Sequence, residues 1–161
     1  MPSFVDRPAQ HYVGARATIA VTEFATIADQ IPRIIGLLAQ HGLAPAGAPF
    51  FRYLVIHPGM RFTAEACVPV EGEFTPEAPL ITGVVPAGKY VLSTYVGHPD
   101  GLFGATKAVL DWGAAEGVRW DSTEAEDGEH WAGRLEVLNT NPLEQPDPTQ
   151  WSTDLLFHVA E

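Results

Sequence analysis

The stretch Phe24–Gly42, FATIADQIPRIIGLLAQHG, decides what kind of fold this chain makes, because it reads as a helix set among strands. Phe24, Ile27, Ile31, Ile34, Ile35 and Leu38 fall on one stripe at helical spacing. Thr22 or Glu23 is placed to open the helix, and Gly42 to stop it. Pro32 predicts either a kink or a helix proper that begins near Ala28, since proline lacks an N–H and crowds the preceding turn. Working outward, HYVGARATIAV (11–21) precedes the helix as a strand. FFRYLVI (50–56) and MRFTAEACVPV (60–70) follow as two more, joined through the turn signal HPG. In the last, Phe62, Ala64, Ala66 and Val68 alternate with Arg61, Thr63 and Glu65, which predicts a sheet with one face on the core and the other in water.

The second half repeats this order. GKYVLSTYV (88–96) is a strand, and GLFGATKAVLDWGAAEG (101–117) a helix with Leu102, Val109, Leu110 and Trp112 as its apolar positions. WAGRLEVLN (131–139) and STDLLFHVA (152–160) are two further strands. An offset of 75 residues carries Gly42 onto Gly117, Ala15 onto Tyr90, Val21 onto Val96 and Ile34 onto Val109. Two copies of strand-helix-strand-strand predict an α+β domain with a pseudo-twofold axis, a mostly antiparallel sheet and the helices on one face. The expected organisation is a single domain over 1–161, with one module at about 10–71, a linker at about 72–86 and a second module at about 87–161. The linker carries a possible strand at LITGVV (80–85), and NPLEQPDP (141–148) is a stiff Pro-rich connection.

Composition narrows the function classes. A chain of 161 residues with 46% hydrophobic residues is globular and large enough for a substantial core. Nine basic residues against 20 acidic ones leave a formal charge of −11, a field that repels phosphate backbones and attracts cations. Direct binding to nucleic acid is therefore not expected, and no helix-turn-helix or basic stripe is visible. No apolar run reaches the ~20 residues of a membrane span. The start lacks the regions of a signal peptide and there is one cysteine, so a cytoplasmic location without disulfides is expected.

Sites of common chemistry are scarce. The six histidines show no metal-binding spacing, and EDGEH (126–130) reads as a solvated loop, so no metal or other cofactor is implied. There is no GxSxG elbow or P-loop, and Cys67 reads as a packing residue. What remains is RLEVL (134–138), a strand with an acid in it. By strand parity Trp131, Gly133, Leu135 and Val137 share one face, and Arg134, Glu136 and Leu138 the other. Arg134 and Glu136 are then either a solvent-facing ion pair worth under ~1 kcal/mol, or a carboxylate kept inside to meet a ligand. Tyr53, Tyr90 and Tyr95 lie on strands, where core packing is the competing role.

The stretches VPAGKYVLSTYVG (85–97), AVLDWGAAEGVRWD (108–121) and RLEVLNTNPLEQPDPTQWSTDLLF (134–157) resemble the gyrase-inhibitor-like (GyrI-like) small-molecule-binding family. That family also supplies effector domains to AraC- and MerR-type regulators. The likeness runs from about Tyr12 to Glu161, and its most specific part is a strand acid followed by Asn-Pro, a Pro-rich loop and a Thr-Asp strand. It implies two modules with a ligand cleft between them, into which the strand acid projects to meet lipophilic or cationic molecules. Carried over, that acid is Glu136, with Tyr53 and Tyr95 as cleft walls and Trp131 near the rim. Leu138 and Pro99 stand where the family often has aromatics, so the expected pocket is more apolar or more open than usual.

The resemblance implies three roles. The leading one is a binding protein for a drug-like small molecule. A second is a hydrolase that opens strained cyclopropyl rings of DNA-alkylating compounds, with Glu136 as general base and Tyr95 or Tyr53 as the hydroxyl partner. A third is a protein-interaction role like that of gyrase inhibitors, or a sensor that works with a separate regulator.

Overall fold

The computed structural model describes residues 1–161. In chain order the strands are β1 (Ser3–Arg7), β2 (Gln10–Ala20), β3 (Phe50–His57), β4 (Arg61–Pro69), β5 (Ile81–Val85), β6 (Gly88–Val96), β7 (Ser122–Ala125), β8 (Gly128–Trp131), β9 (Arg134–Leu138) and β10 (Ser152–His158). The helices are α1 (Ala25–Ala28), α2 (Gln30–Gln40) and α3 (Leu102–Ala115). The main path of the sheet runs β1-β6-β10-β9-β3-β4-β2-β5, and every pairing is antiparallel. Its two halves have one plan, β9-β10-β6 against β3-β4-β2, and they meet where β3 pairs with β9. Each half is extended by an outer strand, β1 beside β6 and β5 beside β2. LITGVV thus forms a strand, whereas β1 and the β7–β8 hairpin carry no clear pattern in the sequence.

The helical stretch breaks at Asp29, and Pro32 sits in the first turn of α2, where a missing N–H leaves no helical hydrogen bond unmade. Gly42 and Gly117 close α2 and α3 in the same way. Each has φ near +70° (71° and 73°), a conformation that favours glycine. Each is followed by an N–H that reaches back to the last turn, Leu43 to Leu38 and Val118 to Gly113.

The three helices cover one face of the sheet. Val13, Phe51, Tyr53, Ala64, Ala66 and Val68 pack beneath α1 and α2. Val91, Trp131, Leu155 and Phe157 pack with Val109 of α3. The opposite face has a core of its own, with Tyr12, Phe50 and Cys67 from one half and Tyr90, Leu135 and Leu156 from the other. The constant offset of 75 therefore fails within the strands: Ala15 packs on the helix side, while Tyr90 belongs to the opposite face.

That second core exists because the sheet curls. Arg52 on β3 donates to the Val84 carbonyl on β5 at 3.2 Å, although β4 and β2 lie between, a spread of ~14 Å in a flat sheet. The expected wet face is accordingly wet only at its end. Arg61 is exposed, but Glu65 is 0% exposed inside the curl.

Candidate functional site

The seam between the halves puts Glu136 on the helix-covered face. Its strand partners are Phe51 on β3 and Leu155 on β10, both buried on that side. Tyr53, two residues along β3, donates its hydroxyl to Glu136 Oε1 at 2.7 Å. Around Tyr53 stand Phe62 at 5.7 Å and Phe24 at 5.8 Å between ring centroids, and Phe24 also meets Phe51 at 5.4 Å. These are tilted or edge-on contacts of the kind aromatic quadrupoles favour. Burial raises the Glu136 carboxyl above its ordinary 4.5, against the opposing pull of the Tyr53 hydroxyl and the Arg134 charge. Burial, with Glu136 alongside, also pushes the Tyr53 phenol well up, so it remains a neutral donor at ordinary pH.

Arg134 does not form the solvent-facing pair with Glu136. Its side chain is 15% exposed, and its closest carboxylate is Glu129 at 3.7 Å. The guanidinium lies over three rings, at 5.0 Å from the centroid of Trp131, 5.2 Å from Phe157 and 5.6 Å from Tyr53. Strand parity had separated Trp131 from Arg134. The strand is in fact broken at Ala132–Gly133 between β8 and β9, which turns Trp131 onto the Arg134 side. Trp131 is buried at 6%, in the core under α3, and so is not a rim residue; its indole N–H donates to Glu129.

Tyr95 lies apart from this group. It pairs with Thr153, which pairs with Leu138, so it shares the face with Glu136 one row along. Its hydroxyl donates to the His98 carbonyl at 2.8 Å and closes the loop that leads to α3. Leu138 packs against the core beneath α1 and α2, and Pro99 begins a short 3-10 turn ahead of α3. Two surface concavities, of about 630 and 350 Å³, lie elsewhere, between α2 and the 74–80 segment and beside Gly42–Ala46.

Glu65, on the strand face whose alternation points to water, is a second buried acid. Glu65 accepts from Arg16 Nε at 2.9 Å and from Arg16 Nη2 at 2.8 Å, and also from the Tyr12 hydroxyl. Tyr12 Oη in turn accepts from Arg52 Nη1 at 2.8 Å. Arg16, Glu65 and Arg52 stand directly opposite one another on β2, β4 and β3, a register that sequence alone does not supply. This chain of ions ties the curl together. No three His, Cys, Asp or Glu side chains converge as a metal-ligand set. No helix is long and apolar enough to cross a membrane.

The model of the GyrI-like small molecule binding domain matches residues 1–130, which leaves Glu136 just beyond the matched stretch. No curated protein matches the chain. Among solved structures, the chain is similar over its whole length to EcmrR in a DNA complex, at 18% identity and a TM-score of 0.79, and spans 57% of that chain. It spans 98% of the isolated EcmrR C-terminal domain, at 18% identity and a TM-score of 0.76. SAV2435 bound to tetraphenylphosphonium is similar over 99% of this chain and 94% of its own, at 12% identity and a TM-score of 0.66. A hydrolase from Listeria innocua is similar over 99% and 91%, at 11% identity and a TM-score of 0.69. At these identities the likeness is one of fold.

Proposed function

Because the chain belongs to the GyrI-like small-molecule-binding family, we propose that it binds a lipophilic organic cation at the seam between its halves, with Glu136 as the anionic anchor. The observation that carries this reading is the state of the Glu136 carboxylate. It is held by a neutral phenol, not by a cation, and burial raises its pKa. Such a carboxylate gains more from an incoming cation than one already paired or solvated. Tyr53 orients it, and Phe24, Phe51 and Phe62 offer apolar area on one side with Trp131 on the other. Tyr95 acts indirectly, through the loop its hydroxyl closes. That the neighbour SAV2435 is bound to tetraphenylphosphonium supports the ligand class. Titrating a panel of planar cations and tetraphenylphosphonium against Trp fluorescence tests the proposal. Binding that is lost in Glu136→Gln, with the fold retained by circular dichroism, is expected. Equal affinity in the variant sinks the carboxylate role.

A hydrolytic reading has one specific support, the fold shared with a hydrolase. In it, water attacks a cyclopropane carbon, the strained C–C bond breaks, and its electron pair passes into the conjugated carbonyl as a phenolate. Glu136 takes the water proton, the Tyr53 hydroxyl protonates the phenolate, and the proton on Glu136 returns to Tyr53 across their 2.7 Å hydrogen bond. Mass spectrometry of a cyclopropyl-indole substrate decides the matter. Ring-opened product that forms no faster than in buffer leaves binding alone.

A further inference from the structure

The cation already inside the site tells what else fits there. Arg134 Cζ lies 5.0–5.6 Å from the centroids of Trp131, Phe157 and Tyr53, within the ~6 Å reach of a cation–π contact to each. All three rings are core residues whose positions are set by neighbours other than Arg134. Trp131 packs on Phe157 at 5.7 Å and on Trp120 at 6.2 Å, and Tyr53 is held by Phe24 and Phe62. The box therefore does not depend on its occupant for its shape. Two carboxylates lie near it, Glu129 at 3.7 Å from Arg134 and Glu136 on the same strand face. The guanidinium reaches this box on a flexible side chain from β9, and the nearest anion is beyond ordinary hydrogen-bond length. Its hold is thus one of ring faces and loose charge, which a competing cation can replace.

We propose that the Trp131–Phe157–Tyr53 box is a subsite for flat guanidinium or amidinium head groups, and that Arg134 is its resident occupant, displaced when such a ligand binds. This rests on the reading of the seam as the ligand site and names the head-group chemistry for it. Flatness matters, because the box holds a planar group among rings and the nearby carboxylates match planar, forked donors. The ligand's apolar body then extends along the seam toward Phe24. Arg134 acts as a brake on affinity: every ligand must first move it, and a protein without it binds the same ligand more tightly.

The test uses phenylguanidinium, its neutral isostere phenylurea, and tetraphenylphosphonium as the bulky control. On the wild-type protein, the Arg134 Nε–H resonance is followed by NMR during titration. It starts displaced by the ring currents of three aromatic faces. Saturation with phenylguanidinium is expected to return it to the solvent-exposed range, while phenylurea leaves it in place. Arg134→Met, checked for folding by circular dichroism, is expected to bind phenylguanidinium about tenfold or more tighter, the scale of a lost competing cation–π contact. An Arg134 resonance that stays ring-shifted at saturation overturns the proposal, as does phenylurea binding as well as phenylguanidinium. So does equal affinity in a folded Arg134→Met. Should that variant not fold, the wild-type resonance alone decides. If tetraphenylphosphonium binds with dependence on Glu136 while the box stays closed, only this subsite is wrong. If no cation binds either protein, the reading of the seam itself has failed.

Discussion

Replacing Glu136 by Gln is expected to weaken ligand binding and strengthen the fold at the same time. For binding, a monocation held ~4 Å from the carboxylate gains ~4 kcal/mol at an effective dielectric of 20. Desolvating the ligand offsets part of this. The net loss in the variant is about 2–4 kcal/mol, in the range for removing one member of a buried charge pair, or roughly 30- to 700-fold in Kd. For stability the sign is opposite. Gln keeps an acceptor for the Tyr53 hydroxyl at 2.7 Å and removes the charge that burial disfavours. Because the native carboxyl is raised above its ordinary 4.5, the folded chain holds its proton more tightly than the unfolded one. Stability in the wild type therefore falls as pH rises from the unfolded value through the raised native one, and stays lower above it. The variant lacks that fall. Its Tm at pH 7 exceeds that of the wild type, by about 2–4 °C for each kcal/mol recovered. Scanning calorimetry from pH 4 to 8, beside titration of a planar cation, reads both effects. A variant that binds within threefold of the wild type, or melts lower at pH 7 with the same pH slope, refutes the account of Glu136 as a strained, ligand-facing anion.

The same shift makes cation binding release a proton. Affinity for a permanent cation is expected to rise with pH through the raised Glu136 pKa and level off above it, which isothermal titration in buffers of different ionisation heat can follow. Arg16→Met strips two charge-assisted hydrogen bonds from the fully buried Glu65, at a cost of about 2–4 kcal/mol or roughly 4–16 °C in Tm; a loss below ~1 kcal/mol would make it an ordinary surface pair. Tyr95→Phe is expected to leave Kd within about threefold, because its hydroxyl serves the 97–101 loop; a tenfold loss would put it in the site. Cys67 is fully buried with its thiol pushed up by that burial, so an aromatic disulfide reagent should react only after denaturation, and fast labelling of the native protein would contradict the closed curl.

Much of the fold was legible because it is written in local periodicity. The alternation in 60–70, the helical stripe in 24–42 and the stop glycines at 42 and 117 each report on contacts within a few residues. The order of these elements, repeated, was enough to predict two modules in an antiparallel sheet with helices on one face, and the motif around Glu136 marked the acid that the seam holds against Tyr53. Alternation says that the two faces of a strand differ, but not what lies beyond each. Whether Glu65 meets water or Arg16 and Tyr12 depends on how far the sheet curls, a property of strands distant in sequence. The same holds for Trp131 and Arg134. Strict parity parted them, and a break at Ala132–Gly133, beside the register shift between Tyr53 and Val55 on β3, brings them together. Each strand's own pattern was determined by the sequence, because side-chain direction follows the backbone residue by residue. The box around Arg134 and the ion chain inside the curl were decided only in three dimensions, because their contacts join strands whose spacing and register are set by the pairing and curl of the whole sheet.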